Sequence, residues 1–194
     1  DNFRTYAQRD YILFLANFLN RMQNVDNYEL LDEVKSNLLA EFERCKDKDL
    51  VNAKKLNLIY AEKNKFSKSG DYAKSIELIP EMLQALSYYK KRKDIELTVI
   101  YDIAMIYFYN QDFVKSLEYI NQLLNHEHLY TFKDLESYSH LIRIFIMLEM
   151  NKTKKMDSLL ENTKKKLSRD GKLFGMENAL FRLLNDLCIT ESEN

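Results

Sequence analysis

Apolar residues return at intervals of three and four through almost every segment of this chain, the spacing that puts one face of an α-helix against a core. Short polar stretches interrupt the pattern at Asp26-Asn27, Lys46 to Asp49, Gly70-Asp71, Asn110 to Asp112, Asn151 to Thr153 and Asp170-Gly171. The whole chain has three glycines and one proline, too few to turn a β-rich protein of 194 residues. The expectation is an all-α fold of about nine helices. Its hydrophobic share of 46% is enough to offset the entropy of ordering, which argues against disorder.

The expected apolar faces are specific. The first helix, Phe3 to about Met22, puts Phe3, Ala7, Tyr11, Phe14, Phe18 and Met22 on one stripe. The second points Leu31, Val34, Leu38, Phe42 and Cys45 inward, and the third carries Ala53, Leu56, Ile59, Tyr60 and Phe66. A fourth helix runs from Asp71 to about Lys91 with Asp71 as its N-cap, and Pro80 inside it predicts a kink. The fifth and sixth run from Lys93 to Tyr109 and from Phe113 to about Asn125, followed by a loop from His126 to Tyr130. The seventh, Thr131 to Met150, is apolar around most of its circumference, which predicts packing on several sides. The eighth points Met156, Leu160, Thr163 and Leu167 inward. The ninth, Lys172 to Ile189, places Met176, Leu180, Leu183 and Leu187 on one stripe.

Two blocks repeat. Tyr72, Ile76, Ile79 and Leu83 are matched by Phe113, Leu117, Ile120 and Leu124, each 41 positions on, with Ser75 matched by Ser116. Met156, Leu160, Thr163 and Leu167 keep the same spacing at a looser offset. The recurring unit is therefore a helical hairpin of about 40 residues. The segment from Leu97 to Tyr130 resembles a tetratricopeptide repeat. Ile100, Ile103, Ala104 and Tyr107 fill the places of its first helix, and Phe113, Ser116 and Ile120 those of its second. Leu123 replaces the family's alanine, the closing proline is absent, and His140 and Arg143 fall on expected core positions of the next repeat. The segment from Leu148 to Leu187 is similar to the closing hairpin and cap of uncharacterised bacterial members of that family.

The resemblance implies a right-handed solenoid of helical hairpins, residues 1–194 forming one repeat domain at the C-terminal end of a longer chain. It also implies a groove lined by the first helix of each hairpin. Thr98, Tyr101, Met105, Phe108, Tyr109, Tyr138, Leu141 and Phe145 would face it and hold a protein or peptide. The alternative for the same residues is packing inside the array. The implied function is a non-enzymatic scaffold. The rival is a peptide-sensing regulatory domain attached to a bacterial DNA-binding module.

No Walker loop, GxGxxG, GxSxG or HExxH occurs, so no catalytic residue, cofactor or metal is expected. His126-Glu127-His128 reads as a loop, and Cys45 and Cys188 as small apolar residues. A formal charge of −1 gives no global argument for nucleic acid. The basic run Lys154, Lys155, Lys164, Lys165 and Lys166 is the one local candidate, without interleaved aromatics for base stacking. No membrane span or export signal is visible, which favours the cytoplasm. The chain starts at Asp1 rather than a methionine, so a leader upstream is compatible with it.

Overall fold

The computed structural model describes residues 2–22, 28–89, 91–152 and 156–192. These form helices α1 (Asn2–Met22), α2 (Tyr28–Arg44), α3 (Lys48–Ser69), α4 (Tyr72–Glu77), α5 (Ile79–Leu86), α6 (Lys93–Tyr109), α7 (Phe113–Leu124), α8 (Lys133–Glu149), α9 (Met156–Arg169) and α10 (Gly175–Ser192). Short 3₁₀ turns follow α5 and precede α8. With α4 and α5 taken as halves of one helix, the described residues hold nine helices and no strand. Pro80 sits in the first turn of α5. The helical bond ladder is interrupted just before it, at Leu78, whose backbone stays right-handed. A proline has no N–H to continue the ladder, and the expected kink takes this form.

The chain divides into two compact units, Asp1–Val99 and Ile100–Asn194. The first is built on α1, α2 and α3. Leu31, Val34, Leu38 and Phe42 of α2, and Cys45 just beyond its end, are all buried, as their spacing predicts, in one cluster with Val51, Leu58 and Ala61 of α3. Asn57 of α3 donates to the Ala16 carbonyl at 3.1 Å, and Gln8 donates to Glu41 at 3.1 Å. Lys65 pairs with Asp32 at 2.9 Å, and Lys35 pairs with Glu62. The first helix departs from expectation. Its buried face is Ile12, Leu15, Ala16 and Leu19, while Tyr11 and Phe14 are exposed and Phe14 stacks on Phe18 at 5.9 Å. Helix α1 packs against both α2 and α3, and Phe18 and Met22 of the expected stripe pack at the edge of that cluster, while the Phe3 side chain lies outside the described residues.

The second unit is organised around α8. Ile146 packs with Ala104 and Ile120 in a cluster with Ile142 and Met150. Ile144 packs with Met156, Leu160, Leu167, Phe181 and Leu184, joined by Leu141, Met147 and Leu148. So α8 does pack on two sides. Met156, Leu160, Thr163 and Leu167 of α9 are all buried, as expected. In α10 Phe181 and Leu184 are buried and Leu180 packs against their cluster, while Leu183, expected inward, is 57% exposed; the Met176 and Leu187 side chains lie outside the described residues. No described helix is long and apolar enough to cross a membrane.

The elbows repeat in atomic detail. Gly70 adopts φ 75°, and the Asp71 N–H reaches back to the Phe66 carbonyl at 2.9 Å. At the same offset of 41, Gln111 adopts φ 63° and the Asp112 N–H reaches the Tyr107 carbonyl at 2.9 Å. Asn151 and Gly171 end α8 and α9 with the same pair of backbone bonds. These are left-handed C-caps that satisfy otherwise orphaned carbonyls. Asp71 and Asp112 also cap the next helix, accepting from the N–H of Lys74 and Lys115. The ammonium of Lys74 pairs with Asp71 and lies 5.7 Å from the centre of the Phe66 ring. Lys115 pairs with Asp112 and lies 5.1 Å from the centre of the Tyr107 ring. The buried serines differ. Ser116 Oγ donates to the Ala104 carbonyl at 2.9 Å, whereas Ser75 Oγ is buried without a partner.

Two stability comparisons test this account by denaturant unfolding. Gly70→Ala should cost about 1 kcal/mol through backbone strain alone, since a Cβ there meets nothing within 4 Å. Gln111→Gly should be neutral or stabilising by up to ~1 kcal/mol. Equal losses in both variants would contradict a shared left-handed elbow. Ser116→Ala should cost about 1 kcal/mol, whereas Ser75→Ala should be neutral or stabilising. A larger loss at Ser75 would show that its hydroxyl is paired.

Candidate functional site

Tyr101, Met105, Phe108 and Tyr109 lie at i, i+4, i+7 and i+8 of α6 and share one face. Their environments differ. Tyr101 and Phe108 are half-buried against the Ala104, Ile120 and Ile146 cluster. Phe108 meets Phe113 edge-on at 5.8 Å and Tyr109 at 5.8 Å. Its ring is therefore part of the support beneath the surface. Tyr109 is 51% exposed, and Tyr138, one turn into α8, is 58% exposed.

Burial pushes the Tyr101 phenol up to about 12, and the Asp102 carboxylate and the phenols of Tyr109 and Tyr138 reinforce the shift. Tyr109 of α6 and Tyr138 of α8 thus both lie within electrostatic reach of Tyr101. Met105 and Phe145 are half-buried. Leu141 packs into the cluster of α8, α9 and α10, so its side chain serves the core.

Thr98 belongs to the first unit, apart from the tyrosines of the second. Its hydroxyl donates to the Asp94 carbonyl at 2.8 Å. It lines a cavity of about 250 Å³ with Asn20, Leu56, Asn57, Tyr60, Tyr89, Asp94 and Ile95. Of these residues only Thr98 belongs to the face expected from sequence. The walls come from α1, α3, the 3₁₀ turn and α6, and no local spacing joins such distant segments. Arg92 grips the Asp94 carboxylate with two bonds, at 2.9 and 2.7 Å, and holds its carboxyl below the usual range.

His140 and Arg143, which break the family's core pattern, lie half-buried on α8. Burial pushes the His140 imidazole down, and the charge of Lys166 adds to that. Lys166 of α9 is paired with Glu136 at 2.8 Å, and Lys165 with Glu161 at 2.6 Å. Lys172 also pairs with Asp134 of α8. Acids therefore offset part of the basic run. Lys154 and Lys155 lie outside the described residues. The rings of His126 and His128 stand 5.7 Å apart, and the His128 N–H donates to His126 Nδ1 at 3.2 Å. Among the described residues no three His, Cys, Asp or Glu side chains converge as a metal site. Cys45 is a free, buried thiol.

No protein-family model, no curated protein and no solved structure matches the chain.

The tyrosine cluster can be tested by alkaline titration of phenolate absorbance. One phenol should ionise last, near pH 12, and Tyr101→Phe should remove that step. Tyr101 is neutral in the fold where its unfolded counterpart ionises near 10, so its contribution is full below pH 10. It falls away as pH rises toward 12. A titration in which Tyr101→Phe removes an ordinary phenol would mean that Tyr101 is neither buried nor crowded by its neighbours.

Proposed function

We propose that this chain is a non-enzymatic, tetratricopeptide-like helical scaffold that holds a peptide or protein segment against the tyrosine face of its second unit. The carrying observation is the arrangement of Tyr101, Tyr109 and Tyr138. Two phenols are exposed, and the third, Tyr101, is half-buried against the cluster of Ala104, Ile120 and Ile146. Tyrosine gives a large contact area with few rotors to freeze, and its hydroxyl can bond a peptide backbone. Met105 on the same face adds an adaptable apolar side chain.

The repeat reading is supported by the two elbows 41 residues apart, which share a left-handed residue, a capping aspartate and a lysine over an aromatic ring. The non-enzymatic reading rests on the sequence, which carries no nucleophile, phosphate-loop or metal motif.

A random-peptide display selection against the intact chain tests this reading. Tyr109→Ser/Tyr138→Ser is the informative variant, because both side chains are exposed and the fold should keep its Tm. Phe108→Ser is the wrong probe, since it removes a ring that packs beneath the surface. Selected peptides should lose about 10- to 30-fold in affinity on the double variant, the range of an aromatic hot spot. Peptides that bind the native chain and the double variant equally would place recognition elsewhere.

A further inference from the structure

We propose that the cavity of the first unit is a second binding site, one that takes a guanidinium group on an aliphatic stem, as in an arginine side chain of a bound peptide. At about 250 Å³ the space exceeds the ~150 Å³ that accommodates a benzene in an engineered protein cavity. The proposal concerns different residues from the tyrosine face and stands or falls independently of it.

The argument comes from which hydrogen-bonding groups are already used. The Thr98 hydroxyl donates to the Asp94 carbonyl, and the Tyr89 hydroxyl donates to the Ala53 carbonyl. Asn57 donates one amide N–H to Ala16. Each hydroxyl proton is spent on the backbone, so these two oxygens offer the cavity lone pairs. The Asn57 amide keeps its carbonyl, and Asp94 adds a carboxylate. Thr98, Tyr89, Asn57 and Asp94 thus bring several acceptors to the lining. Leu56 and Ile95 supply the apolar surface for a stem, and Tyr60 and Tyr89 supply rings. A planar cation with five N–H donors and a three-carbon stem matches that set, and its plane can stack on an aromatic face.

The chain already places its own cations against two of the lining residues, Asp94 and Tyr60. Arg92 holds Asp94 through a fork of two bonds, and the Lys63 ammonium lies 5.0 Å from the centre of the Tyr60 ring. The Arg92 and Asp94 side chains are largely open to water, at 63% and 43%, and such a pair contributes little. An incoming guanidinium can therefore replace Arg92 at modest cost. In this arrangement Arg92 is the internal competitor of the ligand, and removing it should strengthen binding.

The test is an NMR titration of the full chain with N-acetyl-arginine methylamide, following the Asn57 side-chain amide and the backbone amides of Ile95 and Thr98. Saturable shifts with Kd on the order of 1 mM are expected for a fragment of this size. The citrulline analogue, the same shape without charge, should bind about 10-fold more weakly. Asp94→Asn should weaken binding about 10-fold, and Arg92→Ala should tighten it about 3-fold. Thr98→Val keeps the volume, removes one acceptor and should weaken binding about 3-fold. Free arginine and a short arginine-containing peptide complete the comparison, and tighter binding of one identifies the source of the group. Absent saturation, equal binding of citrulline, or weaker binding by Arg92→Ala would each overturn the proposal.

Discussion

A short elbow must do two opposite things at once: end one helix and start the next, here within two or three residues. In two of the elbows a single aspartate does both. The N–H of Asp71 closes α3, and its carboxylate opens α4. Asp112 does the same between α6 and α7. The preceding residue must take a left-handed backbone for this to work, and Gly70 and Gln111 do so. The lysine three residues later then neutralises the carboxylate and covers the aromatic ring whose carbonyl received the aspartate N–H. The helix pairs that build both units depend on these reversals, because each brings the next apolar stripe back against the last.

Where a helix buries one face, its spacing in the sequence identifies that face. The buried stripes of α2 and α9 agree residue for residue with the expectation from Leu31 to Cys45 and from Met156 to Leu167. In helix α1 the expected stripe overlaps the buried face only in part: Phe18 and Met22 pack against the core, while Tyr11 and Phe14 are exposed. The structure buries Ile12, Leu15, Ala16 and Leu19 because two partner helices approach from that side. In α10 Leu180 packs against the core as expected, but Leu183 is exposed and the buried residues beside it are Phe181 and Leu184. Adjacent leucines on both sides of the stripe give periodicity little power to choose.

The tyrosine face was readable for a different reason. Thr98, Tyr101 and Met105 correspond to Tyr138, Leu141 and Phe145, each 40 positions on, so the repeat assigns both sets to one face. The same logic assigned Leu141 to that face, yet its side chain joins the cluster on the far side of α8. Spacing gives the direction of a Cα–Cβ bond, whereas a long side chain turns toward whichever neighbour offers contact. The cavity around Asn57 had no such signal. Its lining runs from Asn20 to Thr98 in sequence, and what makes it distinctive is the spending of hydroxyl protons on backbone carbonyls.

Ile144 and Ile146 lie two residues apart on α8, on nearly opposite sides, and belong to different clusters. A load applied at the C-terminal end would therefore meet two separate lines of resistance. Peeling α10 and α9 away strips the first cluster and leaves Ile146 seated against Ala104 and Ile120. Only when α8 itself yields does the second give way. Under tension this unit should lengthen in steps, with α8 as the seam that decides how far each rupture travels.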